Sequence, residues 1–505
     1  MGFLFKIWTS SVVLSISYII WQIYVSPLRK FQGPFLAKFT NFWRLMDVAA
    51  GRTELTQKAL HRQYGVAVRL GPNLISLSDP ALIKKIYSIK GDFIKSDFYP
   101  VNDVLANGVR IANMFGTKSN EYHNAQVKPI QKYYTMNGVM QCEPLVDRTT
   151  ERFIHILDTK FVKPSTVLKL DDWLLYSDAW DNIGEITYGA PMGFLEKGGD
   201  ISGILQDADN SLDYFAIVGQ APWLDNLLAK NPIYPIGQAS FGAVVQFSVQ
   251  RLIERMKPQA ATGKDTSQKD YLDYFMEKMG TEPWINDQQV VGWLMVNMMA
   301  GADTTAIILR AVFYYVLKQK RIVRRLQAEL DAARLTLPIS YKSTQNLPYL
   351  SAIVLEACRV HPGVGLLLER TIPAEGLTLD DGRYIPGGTT VGMNAWVVHG
   401  DQNIYGQDAE CFRPERWLQQ EDESEGEFEA RRKAMRDADL TFGAGNRVCL
   451  GKNISILEIY KIVATLFLLY DLELVDAKKD WHVQNSWFVR QSGIDVNIKR
   501  RERAF

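Results

Sequence analysis

The sequence predicts a mainly α-helical fold with minor β structure, preceded by one N-terminal membrane-spanning helix. Three observations carry that expectation. Ile7 to Leu28 is a run of 22 residues without a charged side chain. Residues 286–317 form one long apolar-rich stretch opening on the capping residues Asn286 and Asp287, inside a span from about 140 to 335 whose spacing is mostly helical. Residues 66–78 and 367–392 are instead short β-branched segments. They are broken by Gly71-Pro72-Asn73, Asp380-Asp381-Gly382 and Pro386-Gly387-Gly388, the punctuation of hairpins.

In chain order, the first run would extend about 33 Å as a helix, enough for the roughly 30 Å hydrocarbon core of a bilayer. Trp8, Trp21 and Tyr24 lie towards its ends, as interfacial aromatics do. A cleaved signal peptide would have a shorter apolar core and a small-residue cleavage site. Arg29, Lys30 and Lys38 after the run outweigh Lys6 before it, so the positive-inside bias puts the rest of the chain in the cytosol. Pro27 ends the span, and Gly33-Pro34 follows, a pattern that resembles the hinge between a membrane anchor and a catalytic domain. No linker, repeat or low-complexity stretch divides the remainder. The 505 residues are therefore read as an anchor (1–28) and one large catalytic domain (29–505). Glu421 to Glu429, followed by Arg431-Arg432-Lys433, reads as a solvated surface insertion.

Composition narrows the function. A net charge of +1 argues against a nucleic-acid partner. Four cysteines, Cys142, Cys358, Cys411 and Cys449, are too few for a disulfide framework and suit a reducing compartment. Neither C-x-x-C nor H-E-x-x-H occurs, so a zinc site has no ligand set.

The chemistry concentrates in Phe442-Gly443-Ala444-Gly445-Asn446-Arg447-Val448-Cys449-Leu450-Gly451. A cysteine binds metal as its thiolate, and the bound metal keeps it deprotonated. Gly445 and Gly451 permit a tight turn and close backbone approach. Arg447 offers a fork of donors to an anionic group, and Phe442 can shield the sulfur from water. Ala300-Gly301-Ala302-Asp303-Thr304-Thr305 falls mid-way along the long predicted helix. An interior Gly costs about 1 kcal/mol there, and a Thr hydroxyl can bond back to the i−4 carbonyl, so the pair could open a local groove. Glu356 and Arg359, at i and i+3, share a helix face over Tyr349 to Val360.

These motifs resemble the cytochrome P-450 family in type and order. The cysteine run matches F-x-x-G-x-R-x-C-x-G. Ala300–Thr305 matches A/G-G-x-D/E-T-T/S. Glu356 and Arg359 match E-x-x-R, and Phe412-Arg413-Pro414-Glu415-Arg416-Trp417 matches F-x-P-E-R-W. The resemblance covers residues 30–505 and implies the cytochrome P-450 fold. It implies haem b (heme b, iron protoporphyrin IX) with Cys449 as the metal ligand, and cofactor contacts from Arg447, Phe442, Gly445 and Arg370. His123 and Lys128 stand where many members carry Trp or His followed by Arg, and are the candidates for a propionate contact. Asp303 would relay protons and Thr304 would donate to dioxygen. Glu356, Arg359 and Arg416 would form a buried triad bracing the haem-side core. The substrate pocket would draw on Phe98 to Asn113, Asn297 to Met299, Gly363 to Leu367 and Trp487 to Val489, with Asn297, Met298, Val364, Leu366 and Phe488 as named lining residues. Their apolar character suits a lipophilic small molecule. The segment Phe215 to Leu228 is expected at the membrane surface.

The phrase Gly392-Met393-Asn394-Ala395-Trp396-Val397-Val398-His399 is similar to fungal secondary-metabolism members. No G-x-G-x-x-G fingerprint occurs. Electrons from NADPH would therefore arrive through a separate flavoprotein reductase, or a small cytochrome donor, at an endoplasmic reticulum membrane. The expected activity is insertion of one oxygen atom from O2 into a C–H or C=C bond. The rivals are a haem-thiolate isomerase or dehydratase, which needs no external electrons, and a non-catalytic haem-binding sensor. The sequon Asn453-Ile454-Ser455 is expected to be unused.

Overall fold

The apolar N-terminal run folds as α1 (Gly2–Ile20) and continues in a wider helical turn to Val25. This computed structural model describes residues 2–106, 108–237, 241–257 and 268–502. The apolar stretch long enough to cross a bilayer is Phe3–Val25. It starts earlier than the sequence expectation because Lys6 is carried within the helix, and it ends earlier because the next residues belong to the domain. Ser26, Leu28 and Phe31 are each 2 % exposed or less. Nor is the Gly33-Pro34 region a free hinge, since a Cβ on Gly33 would stand 2.1 Å from the Arg69 carbonyl oxygen. Buried Gln22, still on this apolar helical run, accepts a 2.6 Å hydrogen bond from Arg69, and Tyr18 donates to the Phe39 carbonyl.

Beyond the short helix α2 (Phe42–Ala49), the expected hairpin forms as β1 (Ala67–Gly71) and β2 (Leu74–Leu77), with Ala67 opposite Leu77. The short strand β3 (Ile94–Lys95) and α3 (Asn120–Val127) follow, then α4 (Ile204–Val218). The long predicted helix is α5 (Asp287–Leu317), and Asn286 caps it by accepting from the Gln289 N–H. Its length and apolarity would also suit a membrane, but it is the core. Leu294, Met298, Ala302, Ala306, Ile307 and Leu309 have no accessible surface. Each fully buried large apolar side chain contributes about 1.5–3 kcal/mol relative to an exposed one.

Helix α6 (Pro348–Val360) carries Glu356 and Arg359. The segment 367–392 returns to strands, among them β4 (Arg370–Thr371) and β5 (Thr390–Gly392). They complete a five-stranded sheet in the order β1-β2-β5-β4-β3. The acidic run lies on the surface and is mostly helical. Ser424 and Glu427 form a capping box that starts the surface helix α7 (Glu425–Asp437), and Glu423 pairs with Arg431 at 2.6 Å.

After the cysteine loop, α8 (Lys452–Leu469) runs back into the core against α5. The chain closes with β6 (Tyr470–Leu474), the hairpin β7 (His482–Ser486) and β8 (Phe488–Ser492), and β9 (Asp495–Arg500) paired with β6.

Candidate active site

The cysteine loop is held by its own backbone and by the start of α8. The Cys449 N–H donates to the Phe442 carbonyl at 2.8 Å, closing the loop on itself. Gly443 and Gly445 have φ of +69° and +67°. At Gly445 a side chain is also excluded by packing, because a Cβ would lie 1.8 Å from the Tyr87 carbonyl oxygen. That glycine therefore serves loop-to-chain contact. Gly451 is the glycine with open space where its Cβ would be.

Burial pushes the Cys449 thiol pKa up, while the N–H groups of Gly451 and Lys452 and the Lys452 charge push it down. The residue nevertheless has accessible surface. We take the space bordered by the accessible surface of Cys449 and of Val296, Met299, Ala300, Gly301 and Thr304, in the middle of the otherwise mostly buried α5, as the candidate cleft. Thr305 and Ser455 share a 2.8 Å hydroxyl–hydroxyl bond, which ties this turn of α5 to the first turn of α8 beyond Cys449. Gly301 is small because Ile183 packs onto it, and the helix runs through Ala300–Thr305 unbroken.

Thr304 donates to the Ala300 carbonyl at 2.7 Å, the back-bond expected of a mid-helix Thr. Asp303 turns away into the core, 8 % exposed, where burial raises its carboxyl pKa to about 6. Asp209 adds to that shift, whereas Arg490, Arg310 and the Trp180 indole oppose it. The indole N–H lies near the carboxylate without making a full hydrogen bond to it. Arg490 in turn pairs with Asp209 and Asp213 on α4.

Because the folded-state pKa of Asp303 is raised, its protonated form is the favoured one. The stability it confers is complete below pH 3.8 and is lost as pH rises towards 6. Asp303→Asn is thus expected to be more stable than the parent at pH 7 by up to about 3 kcal/mol, with the gap closing near pH 4. Thermal denaturation across that range checks this, and a pH-independent gap would refute it.

Near the start of α3, basic side chains from separate parts of the chain gather. Arg370 on β4 and Lys95 on β3 are buried. Arg447 is held by the Asn120 carboxamide oxygen at 2.9 Å and the Ser119 carbonyl at 3.0 Å, at the start of α3. Burial, then Arg370, lowers the Arg447 pKa to about 10. Lys95 is pushed well below its ordinary value by burial and by Arg370 and Arg447. His123 is lowered to about 4 by burial, then by Arg447 and Lys95. Arg447 Nη1 is buried with no hydrogen-bond partner among the described residues. Glu369, next to Arg370, is already engaged by Arg44 and Ser96. Such a group of cations matches a ligand carrying carboxylates, and the propionates of haem b fit it, with the Cys449 thiolate as iron ligand.

Lys128 lies apart from this group. It is the exposed C-cap of α3, and Lys95 is the lysine in the cluster. Phe442 is half-buried beside the Lys452 ammonium, 5.4 Å from its ring.

The structure brings Glu356, Arg359 and Arg416 together. Glu356, with no accessible surface, takes paired bonds of 2.8 and 2.6 Å from Arg359 and a 3.4 Å contact from Arg416. The Trp417 indole N–H and the Arg413 backbone N–H, each at 2.9 Å, complete its shell.

The expected pocket residues divide. Val364 and Phe488 pair by a β-bridge next to Gly363, whose missing Cβ would lie 4.0 Å from the Thr304 carbonyl. Leu366 borders a second small cleft with Trp43, Arg44 and Gln220. Asn297 and Met298 face the core instead. Met298 is fully buried, and the Asn297 side chain is used by Tyr134 and Thr187 at 3.0 and 2.7 Å. The stripe of α5 open to the cleft is Val296, Met299 and Ala300. Asn107, in the first expected pocket segment, lies outside the described residues. Asn453 of the sequon donates to the Tyr134 carbonyl at 2.8 Å.

Comparison with known proteins agrees with this geometry. The cytochrome P450 family model matches residues 34–497. Cytochrome P450 monooxygenase cfoH of Aspergillus candidus is 39% identical over 503 residues, covering 98% of this chain and 93% of its own. Cytochrome P450 monooxygenase cicH of Emericella nidulans is 40% identical over 473 residues, 93% of each chain. Cytochrome P450 monooxygenase mpaDE of Penicillium roqueforti is 35% identical over 509 residues, 98% of this chain but 58% of its own. The family match over most of the chain, with relatives about 40% identical nearly end to end, shows that the chain belongs to the cytochrome P450 family.

Proposed function

We propose that the protein is a membrane-anchored haem monooxygenase of fungal secondary metabolism. It inserts one oxygen atom from O2 into a lipophilic small molecule by hydroxylation, epoxidation or multistep oxidation. The observation that carries this reading is Cys449, held at the start of α8 beside a cleft whose wall includes Ala300 and Thr304. Bound haem supplies the oxygen-activating redox chemistry, with the thiolate favouring O–O cleavage.

The chain's own residues do the rest. Arg447, Arg370, Lys95 and His123 orient the cofactor through its carboxylates. Thr304 Oγ1, poised on the Ala300 carbonyl, can swing its proton towards the cleft. Asp303, with a pKa of about 6, can hold a proton near neutrality and pass it on. Phe3–Val25 anchors the chain in the endoplasmic reticulum membrane, and residues 29–505 form a cytosolic catalytic domain. Trp223 and Leu227, both over half exposed, suit contact with that membrane. Electrons come from NADPH through a separate flavoprotein reductase, with a small cytochrome as the alternative donor. The intact Asp303–Thr304 pair favours this reading over an isomerase or dehydratase.

The test is product formation that depends on both NADPH and reductase, in protein whose reduced carbon monoxide complex has a thiolate-type spectrum. Turnover without electrons would support the isomerase reading, and bound haem without turnover the sensor reading. Thr304→Ala should consume NADPH at a near-parental rate while diverting most of it to peroxide. Unchanged coupling would remove Thr304 from the mechanism.

A further inference from the structure

Trp180 is a buried donor without an acceptor, beside the acid of the Ala300–Thr305 turn. It lies near the end of the wide helical turn Leu175–Asp181 and is 1 % exposed. Its indole N–H is buried with no hydrogen-bond partner among the described residues. Leaving a buried donor unmade is costly, so an orphan of this kind needs a reason.

Its position is fixed by the helix that follows, Asn182–Tyr188. Contacts with α5 step down this helix as they step up α5. Thr187 accepts from the Asn297 carboxamide at 2.7 Å. Ile183 lies 2.8 Å from where a Cβ on Gly301 would stand. Trp180 then reaches the Asp303 carboxyl. Gly301 therefore admits the neighbouring helix, and the register delivers the indole to the acid. The charged groups around Asp303 are engaged elsewhere. Arg490 on β8 pairs with Asp209 and Asp213 of α4, and Arg310 of α5 donates to the Asp171 carbonyl at 3.0 Å.

We propose that Trp180 is a positioning residue for proton delivery: its indole N–H closes onto the Asp303 carboxylate when that group has passed its proton towards Thr304, and lets go when the proton is regained. This rests on the haem-monooxygenase reading. One proton leaves Asp303 for the cleft and one returns from solvent, while the indole keeps its own. A neutral donor suits this duty. It steadies the carboxylate, whereas a directly paired guanidinium would hold it ionised.

Two readouts test this. The first is the stability gained by Asp303→Asn as a function of pH. In the parent the gain should stop growing near pH 6, where burial, then Asp209, have placed the carboxyl. In a Trp180→Phe background it should keep growing for roughly one pH unit more, because the ionised acid has lost its donor. The second is the coupling of NADPH use to product in the haem-loaded protein. Its fall with rising pH should move up by a similar amount in Trp180→Phe, and Trp180→Phe should not move the pH profile when Asp303→Asn is also present. A Trp180→Phe protein that is destabilised equally at every pH, with both positions unmoved, would show plain core packing and overturn the proposal. If that variant does not retain haem, the parent still decides. Infrared difference spectra between about pH 5 and about pH 8 should show one indole N–H becoming hydrogen-bonded, and Asp303→Asn should abolish that signal. No such signal would overturn the proposal alone. A parent without a thiolate-type carbon monoxide spectrum would instead overturn the haem reading, and the proposal with it.

Discussion

Cys449→Ala is expected to remove the thiolate-type carbon monoxide band and reduce reductase-dependent turnover to background, while the fold survives. The loop does not depend on the sulfur. Its closing bond runs from the Cys449 backbone N–H to the Phe442 carbonyl, and the bends are made by Gly443 and Gly445. Far-ultraviolet circular dichroism should therefore match the parent. The thiol pKa is raised by desolvation, which the Gly451 and Lys452 N–H groups only partly offset, so bound iron would complete the deprotonation. A band that persists in the variant would assign ligation to another thiol. The alternatives are poorly placed: Cys142 and Cys358 are buried, with pKa values raised by desolvation, and Cys411 is on the surface.

The second large effect is expected away from the cleft. Glu356→Ala should cost about 3–5 kcal/mol and abolish haem incorporation, because it strands Arg359 as a buried charge, whereas Arg416 keeps its 2.8 Å pair with Asp408. Each is 3 % exposed or less. Arg359 would keep carbonyl contacts to His399, Ala409 and Cys411 but lose its carboxylate, and the Trp417 indole would lose its acceptor. The ratio of haem to protein absorbance after purification, with the thermal midpoint, measures both consequences. A haem-replete, active Glu356→Ala protein would show that the triad does not brace the core.

What could be read from the chain beforehand was local. Turn residues marked the β1–β2 hairpin, a capping asparagine marked the start of α5, and the i, i+3 spacing put Glu356 against Arg359. What could not be read was rotational phase and long-range partnership. Helix α5 is apolar nearly all round, so its pattern does not reveal which face looks into the cleft. Val296, Met299 and Ala300 face it, while Asn297 and Met298, a rotation of roughly 100° away, face the core. Lys95 was equally hidden. It sits on a two-residue strand, and its neighbours in the cluster, Arg370 and Arg447, lie far along the chain. Lys128 was conspicuous only by its nearness to His123. The left-handed backbone of Trp487, at the tip of the β7–β8 hairpin, has no sequence marker, since glycine or asparagine would be the residues expected there.

The bond from Arg69 to Gln22 gives the molecule a mast rather than a tether. With Ser26 and Leu28 sunk into the body just beyond it, a bilayer around Phe3–Val25 would leave the globular part little slack with which to nod or roll. Its main freedoms there would be drift in the plane and spin about the membrane normal. A partner confined to the same sheet of lipid would meet it within a narrow range of heights and pitches, which would bring their encounter close to a search in two dimensions.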